Sequence, residues 1–151
     1  MEKEYLYTAS PAESEAAGAT LAARLLSDER MPRYIALYGD LGVGKTAFVR
    51  GVASVLCPGA AVRSPTFALV HEYRGKLPIF HFDMYRITDE DDLYSIGYDD
   101  YLRRNGVILV EWSENIPYAL PEHYLRVTIR KNDPANTDSR EILFEEVGLP
   151  C

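Results

Sequence analysis

The sequence predicts an α/β fold: a single domain over residues 1–151, with a mixed central β-sheet flanked by helices. Three features predict it. Strand-like and helix-like segments alternate through the first half. A glycine-rich loop joins a short apolar run to a segment of helical periodicity. A third run, Val107-Ile108-Leu109-Val110, is aliphatic throughout, as expected of a strand buried on both faces.

Taken in order, Glu4 to Thr8 reads as a strand with Tyr5 and Tyr7 on one face. Ser10-Pro11-Ala12-Glu13 is a helix start, with Ser as N-cap, Pro at N1 and Glu at N3. That helix runs through Ala16, Leu21, Leu25 and Leu26 to about Ser27. Tyr34-Ile35-Ala36-Leu37-Tyr38 is a buried strand. After the glycine loop, apolar residues at 48, 49, 52, 55 and 56 describe a helix that Cys57-Pro58-Gly59 ends. Thr66 to Tyr73 and Leu77 to Phe82 are two strands separated by Arg74-Gly75-Lys76, an antiparallel hairpin. Thr88-Asp89-Glu90-Asp91-Asp92 opens a short helix by capping and favourable dipole charge. A second helical segment, Ile96 to Arg104, is broken from the first near Gly97. Strands Tyr124 to Arg130 and Glu141 to Val147 close the chain around a polar loop.

Composition bounds the function. The chain is 47% hydrophobic and 26% charged, enough apolar residues for one core. No run of apolar residues is long enough to span a bilayer and the N-terminus has no apolar leader, so no membrane role and a cytoplasmic location are expected. Two cysteines, Cys57 and Cys151, with no C-x-x-C, predict neither a disulfide framework nor a zinc site. The net charge of −7 argues against gripping nucleic acid through its phosphates. A nucleic-acid role would work through a partner.

The chemistry is concentrated in Gly39-Asp40-Leu41-Gly42-Val43-Gly44-Lys45-Thr46, which fits G-x-x-x-x-G-K-[ST] in its required setting between strand and helix. Glycines let backbone N–H groups curl around phosphate oxygens, and the following helix points its positive end at the same anion. Lys45 then reaches the β- and γ-phosphates and Thr46 offers a hydroxyl to Mg²⁺. ATP or GTP with Mg²⁺ is the expected ligand. Hydrolysis needs a further acid near the metal on a neighbouring strand. Glu111 fits, standing at the carboxyl end of the aliphatic run. Asp83 ends the 77–82 run, and two readings fit it: a carboxylate on a metal-bound or attacking water, or a turn cap. Ser64-Pro65-Thr66 reads either as a switch loop sensing the γ-phosphate or as a plain turn. Trp112, the single tryptophan, either packs in the core, its default, or contacts a partner. His81-Phe82-Asp83 has H-x-D spacing but too few ligands for a transition metal, and His71 and His123 read as ordinary strand or loop residues. Arg63 and Arg86 each read either as a phosphate contact or, the commoner role of an arginine, as a plain surface residue.

Four segments in this order carry a resemblance: the glycine loop, Ser64-Pro65-Thr66-Phe67, His81-Phe82-Asp83-Met84-Tyr85-Arg86, and Leu109-Val110-Glu111-Trp112. Together, over residues 5–130, they resemble the bacterial TsaE family (formerly YjeE), the ATPase of tRNA threonylcarbamoyladenosine biosynthesis. The resemblance implies a P-loop NTPase domain that binds ATP and Mg²⁺ and hydrolyses ATP slowly when alone. It implies TsaD-like and TsaB-like partners that modify N6 of adenosine 37 in tRNAs reading codons that begin with A. The tRNA would be reached through those partners. Carried over by position, the nucleotide contacts run from Gly39 to Ala47, Lys45 binds phosphate, and Thr46 and Glu111 serve Mg²⁺. Asp83 sits beside the metal water and Thr66 lies in the switch loop. Ser10 and Ser14 lie where the family's N-terminal segment approaches the base. Two positions depart from the pattern: Ala47 replaces a second threonine common in relatives, and Ser113 replaces a proline.

Two other functions use the same loop. A small-molecule kinase would carry an arginine-rich lid, whereas the chain after Glu111 reads as two strands with few arginines. A nucleotide-gated binding module would work without turnover, and would survive Glu111→Gln.

Overall fold

A computed structural model describes residues 3–39, 44–63 and 69–148. Strands β1 (Lys3–Thr8), β2 (Tyr34–Tyr38), β3 (Val70–Tyr73), β4 (Ile79–Asp83), β5 (Val107–Glu111), β6 (Tyr124–Lys131) and β7 (Arg140–Val147) form one sheet in the order β1-β7-β6-β2-β5-β4-β3. Its middle, β6-β2-β5-β4, is parallel. Antiparallel strands complete both sides: β7 and then β1 beyond β6, and β3 beside β4. The mixed α/β sheet is therefore the one expected, and β3–β4 is the expected hairpin, though β4 starts at Ile79 rather than Leu77.

Alternation along the strands sorts residues onto two faces. Ile35, Leu37, Ile79, Val107, Leu109, Leu125, Val127 and Ile129 face helices α1 (Pro11–Ser27) and α2 (Lys45–Leu56). Tyr34, Ala36, Phe80, Phe82, Ile108 and Val110 face the short helices α3 (Glu90–Ser95) and α4 (Tyr98–Arg103). The same alternation continues to the strand ends. It puts His81 and Asp83 on the face of Ile79, and Glu111 on the face of Leu109, all toward α2.

Helix α1 starts as its sequence dictates, with the Ser10 hydroxyl accepting from the Glu13 N–H at 3.2 Å and the Glu13 carboxylate accepting from the Ala9 N–H. Its buried face carries Leu21 and Leu25. Leu26 is exposed, and the small residues Ala17, Gly18 and Ala22 are buried. The reason for the small residues lies in α2. A Cβ on Gly18 would stand 2.1 Å from the Phe48 carbonyl oxygen, and one on Gly51 would stand 1.8 Å from that of Glu15. The helices meet backbone to backbone, which no larger residue permits.

Candidate active site

The carboxyl ends of β2, β4 and β5 and the N-terminus of α2 meet at one edge of the sheet, where open parallel sheets bind ligands. Gly44 caps α2 with φ of 93° and ψ of 26°, a left-handed conformation suited to glycine. Lys45 follows at the first helical position with its side chain nearly buried, and its Nζ donates to the Gly39 carbonyl at 2.8 Å. Thr46 is half-buried in the same turn, and Ala47 is buried. Asp40, Leu41, Gly42, Val43, Ser64, Pro65 and Thr66 lie outside the described residues.

The acids come from two adjacent strands. Asp83 of β4 pairs in register with Glu111 of β5, and both are buried. Glu111 therefore does not simply end a strand in solvent. Its Oε1 lies 4.0 Å from Lys45 Nζ, and its Oε2 accepts from the His81 ring nitrogen Nε2 at 2.6 Å. Asp83 Oδ1 accepts from the Tyr85 N–H at 2.9 Å, so the turn cap is present, beside the second carboxylate. Burial pushes the Asp83 carboxyl above its ordinary value; the Tyr85 N–H opposes the shift, and the neighbouring Glu111 charge reinforces it.

The sign of that shift gives a prediction. A carboxyl raised in the folded state stabilises the fold below its unfolded value and loses that contribution as pH rises through the folded value. In Asp83→Asn the amide oxygen can still cap Tyr85 while the buried charge is gone. The nucleotide-free variant is expected to melt above wild type at about pH 7.5, with the gap closing as the pH falls toward 3.8. A melting series across that range checks it, and equal melting temperatures at the upper end would contradict it.

Trp112 packs against the second core cluster while also bordering the site. It is half-buried at the edge of the site, with Lys45 Nζ 5.2 Å from its ring centroid and the Tyr85 ring 5.0 Å away. Its φ of 60° is left-handed. Leu69, at 63°, is the other such non-glycine residue among those described, and its carbonyl accepts from the Asp83 N–H at 2.9 Å. Both strained residues adjoin the two acidic positions, a distribution typical of functional sites. The Trp112 turn is held by Ser113 Oγ donating to the Val110 carbonyl and Asn115 Nδ2 donating to that of Met84. Ser113 thus contributes a hydrogen bond of its own to this turn.

Ser10 and Ser14 are engaged inside the protein: Ser10 caps α1, and the buried Ser14 hydroxyl lies 2.8 Å from that of Thr8. Thr8 pairs with Arg140 across β1–β7, and Arg140 Nε would lie 3.8 Å from a Cβ on Gly44. The start of α1 therefore reaches the glycine loop's side of the molecule through Arg140. Sequence reading passed over Arg140 in favour of Arg63 and Arg86, both exposed, because no local spacing signals a contact made by sheet order. It also passed over His81, for which the H-x-D spacing was the available signal.

A strand, a glycine-capped helix with a buried lysine at its first turn, and paired acids on the next strands define a P-loop nucleotide-binding α/β protein. The comparisons narrow this. A family profile described as "Threonylcarbamoyl adenosine biosynthesis protein TsaE" matches residues 8–142. The tRNA threonylcarbamoyladenosine biosynthesis protein TsaE of Bacillus subtilis is 44% identical over 115 residues, covering 76% of this chain and 70% of that protein. The protein of the same name from Treponema pallidum is 34% identical over 119 residues, covering 79% and 86%. A crystal structure of Bacillus subtilis YdiB superposes with a TM-score of 0.75 at 33% identity, covering 97% of this chain and 87% of that one. The chain belongs to the TsaE family.

Proposed function

We propose that this chain is, over its whole length, a cytoplasmic ATPase that supports formation of threonylcarbamoyladenosine at position 37 of tRNAs reading A-starting codons. It acts on a pair of TsaD-like and TsaB-like partners, which handle the tRNA. The observation that carries the reading is the convergence of Glu111 on Lys45 at the N-terminus of α2, with Asp83 in register beside it. The names of the relatives support the pathway, and the net charge of −7 supports contact with tRNA through other proteins. Among the described residues no helix is long and apolar enough to cross a membrane.

The donor set fits Mg²⁺. Thr46, Glu111 and Asp83 offer hard oxygens, too few to enclose an ion, which suits a cation that keeps several waters and shares phosphate oxygens. Among the described residues no group of three or more His, Cys, Asp or Glu is placed to hold a metal unaided, consistent with an ion that arrives with its nucleotide. When bound, Mg²⁺ neutralises charge on the β- and γ-phosphates. The chain's own groups do the rest. Lys45 would exchange the Gly39 carbonyl for phosphate oxygens, the α2 N–H groups would bind the same anion, and Thr46 and Glu111 would hold the ion. Asp83 orients water at the strand edge. The segment after Glu111 forms β6 and β7, which extend the sheet where a kinase would carry a lid, and this supports water over a second substrate as the acceptor.

Reconstitution with the two partners, tRNA and ATP tests the reading. Multiple-turnover modification is expected only with this protein present. Equal turnover without it would overturn the proposed role. Full modification by a Glu111→Gln variant that no longer hydrolyses ATP would replace the enzyme by a nucleotide-gated binding module.

A further inference from the structure

His81 is fully buried one strand away from Glu111, and one of its ring nitrogens lies 2.6 Å from Glu111 Oε2. The other, Nδ1, is the one buried side-chain polar atom among the described residues with no hydrogen-bond partner. A proton on Nδ1 would be a buried donor with nothing to accept it. A proton on Nε2 is used at once by the carboxylate. The surroundings therefore select the Nε2–H tautomer, and the hydrogen bond fixes the rotation of the Glu111 carboxyl group. With Oε2 tied to His81, Oε1 is the oxygen left facing Lys45, 4.0 Å away.

Register explains why the pair forms. His81 is level with Leu109 and Asp83 is level with Glu111, so His81 and Glu111 are diagonal neighbours on one face of adjacent parallel strands. An aliphatic residue at position 81 would satisfy the core equally well. A histidine there, with one nitrogen unpaired, is a local cost that packing does not explain.

We propose that His81 is a positioning residue, whose Nε2–H holds the Glu111 carboxylate so that Oε1 points to the phosphate and metal side. This rests on the reading of Glu111 as the acid that serves Mg²⁺. It predicts a group that acts on the hydrolytic step through Glu111 and contributes little to binding the nucleotide itself. Losing such an outer partner costs activity or metal affinity about 10–100-fold.

Two measurements test it. In the metal- and nucleotide-free protein, ¹⁵N NMR of the His81 ring is expected to show the proton on Nε2. In ATPase assays, His81→Leu removes the donor at similar volume. Its kcat is expected to fall about 10–100-fold, and half-activation to need more Mg²⁺, with KM for ATP at saturating Mg²⁺ within about threefold of wild type. His81→Gln returns an N–H near the position of Nε2 and is expected to recover most of the lost kcat. A proton on Nδ1 with none on Nε2 overturns the inference. So does His81→Leu hydrolysing ATP like wild type while Glu111→Gln has lost activity, an outcome that leaves the reading of Glu111 standing. Wild-type hydrolysis by Glu111→Gln overturns that reading and this inference together. Should His81→Leu fail to fold, the tautomer and His81→Gln decide, with a folded but inactive glutamine variant counting against the proposal.

Discussion

Lys45→Ala is expected to lose nucleotide binding and ATP hydrolysis together. The ammonium is the one side-chain cation at the first turn of α2, it is 7% exposed, and it already faces the Glu111 carboxylate across 4.0 Å. A hydrogen bond to a charged partner is worth about 1.5–3 kcal/mol, and a donor aimed at charge that develops in the transition state is worth about 10²–10³ in kcat. The combined loss in kcat/KM is expected to reach about 10³-fold or more. Lys45→Arg should not restore it, because a planar guanidinium does not fit a seat shaped for a compact ammonium. Fluorescence gives an independent readout. Trp112 is the single tryptophan in the chain, and Lys45 Nζ lies 5.2 Å from its ring centroid. When Lys45 moves to phosphate, the cation leaves the indole, so ATP is expected to change the emission of wild type and leave that of Lys45→Ala unchanged. Retention of affinity within about threefold would show that the backbone N–H groups bind the phosphates without the lysine.

Gly51→Ala is expected to have the largest effect on stability. In an isolated helix this substitution would gain about 0.5–1 kcal/mol. Here the added methyl would lie 1.8 Å from the Glu15 carbonyl oxygen and 3.0 Å from the Ala19 nitrogen, both backbone atoms that cannot rotate away. Relief requires α1 and α2 to separate, opening the contacts of Ala17, Leu21, Phe48 and Val52. Overpacking costs about 1–3 kcal/mol, occasionally more, so a net loss of about 3 kcal/mol is expected from a total of roughly 5–15. Urea unfolding checks it. The double variant Gly18→Ala/Gly51→Ala should lose less than the two single losses combined, since either methyl forces the same separation. An unchanged urea midpoint in Gly51→Ala would mean that the helices tolerate a wider spacing.

Much of this molecule is legible along the chain. Caps and breakers mark α1, α2, α3 and α4, with Ser10, Gly44, Asp89 and Gly97 at their starts. These are local signals: the Ser10 and Asp89 side chains accept from the N–H three residues ahead, and Gly44 and Gly97 supply the left-handed backbone at the helix start. The strands are legible from period and composition. Three things are not. Leu26 looks like core and is exposed, one position past Leu25 and so turned off the face that packs on α2. Trp112 looks like core and also flanks the site, because its left-handed backbone turns it toward Lys45. The 3-10 turns Ser113–Asn115 and Pro117–Ala119 have no periodicity to read.

The sequence by itself determines the phosphate end of the site. Gly44, Lys45 and Thr46 follow one another through consecutive backbone geometry, a left-handed cap and the first turn of a helix. The loop residues Asp40 to Val43 and the Thr66 loop belong to that sequence reading and lie outside the described residues. The acid end is a different matter. Asp83 and Glu111 each suit an acid beside the metal when read alone, but nothing in their own neighbourhoods says that they meet. Parallel pairing of β4 with β5 and of β5 with β2 brings both to the foot of α2, and the diagonal of that register joins His81 to Glu111. Strand order and register are set by which faces can be buried together, a condition on the whole sheet. Only the tertiary structure could therefore decide which oxygen of Glu111 is tied to His81 and which is left facing Lys45.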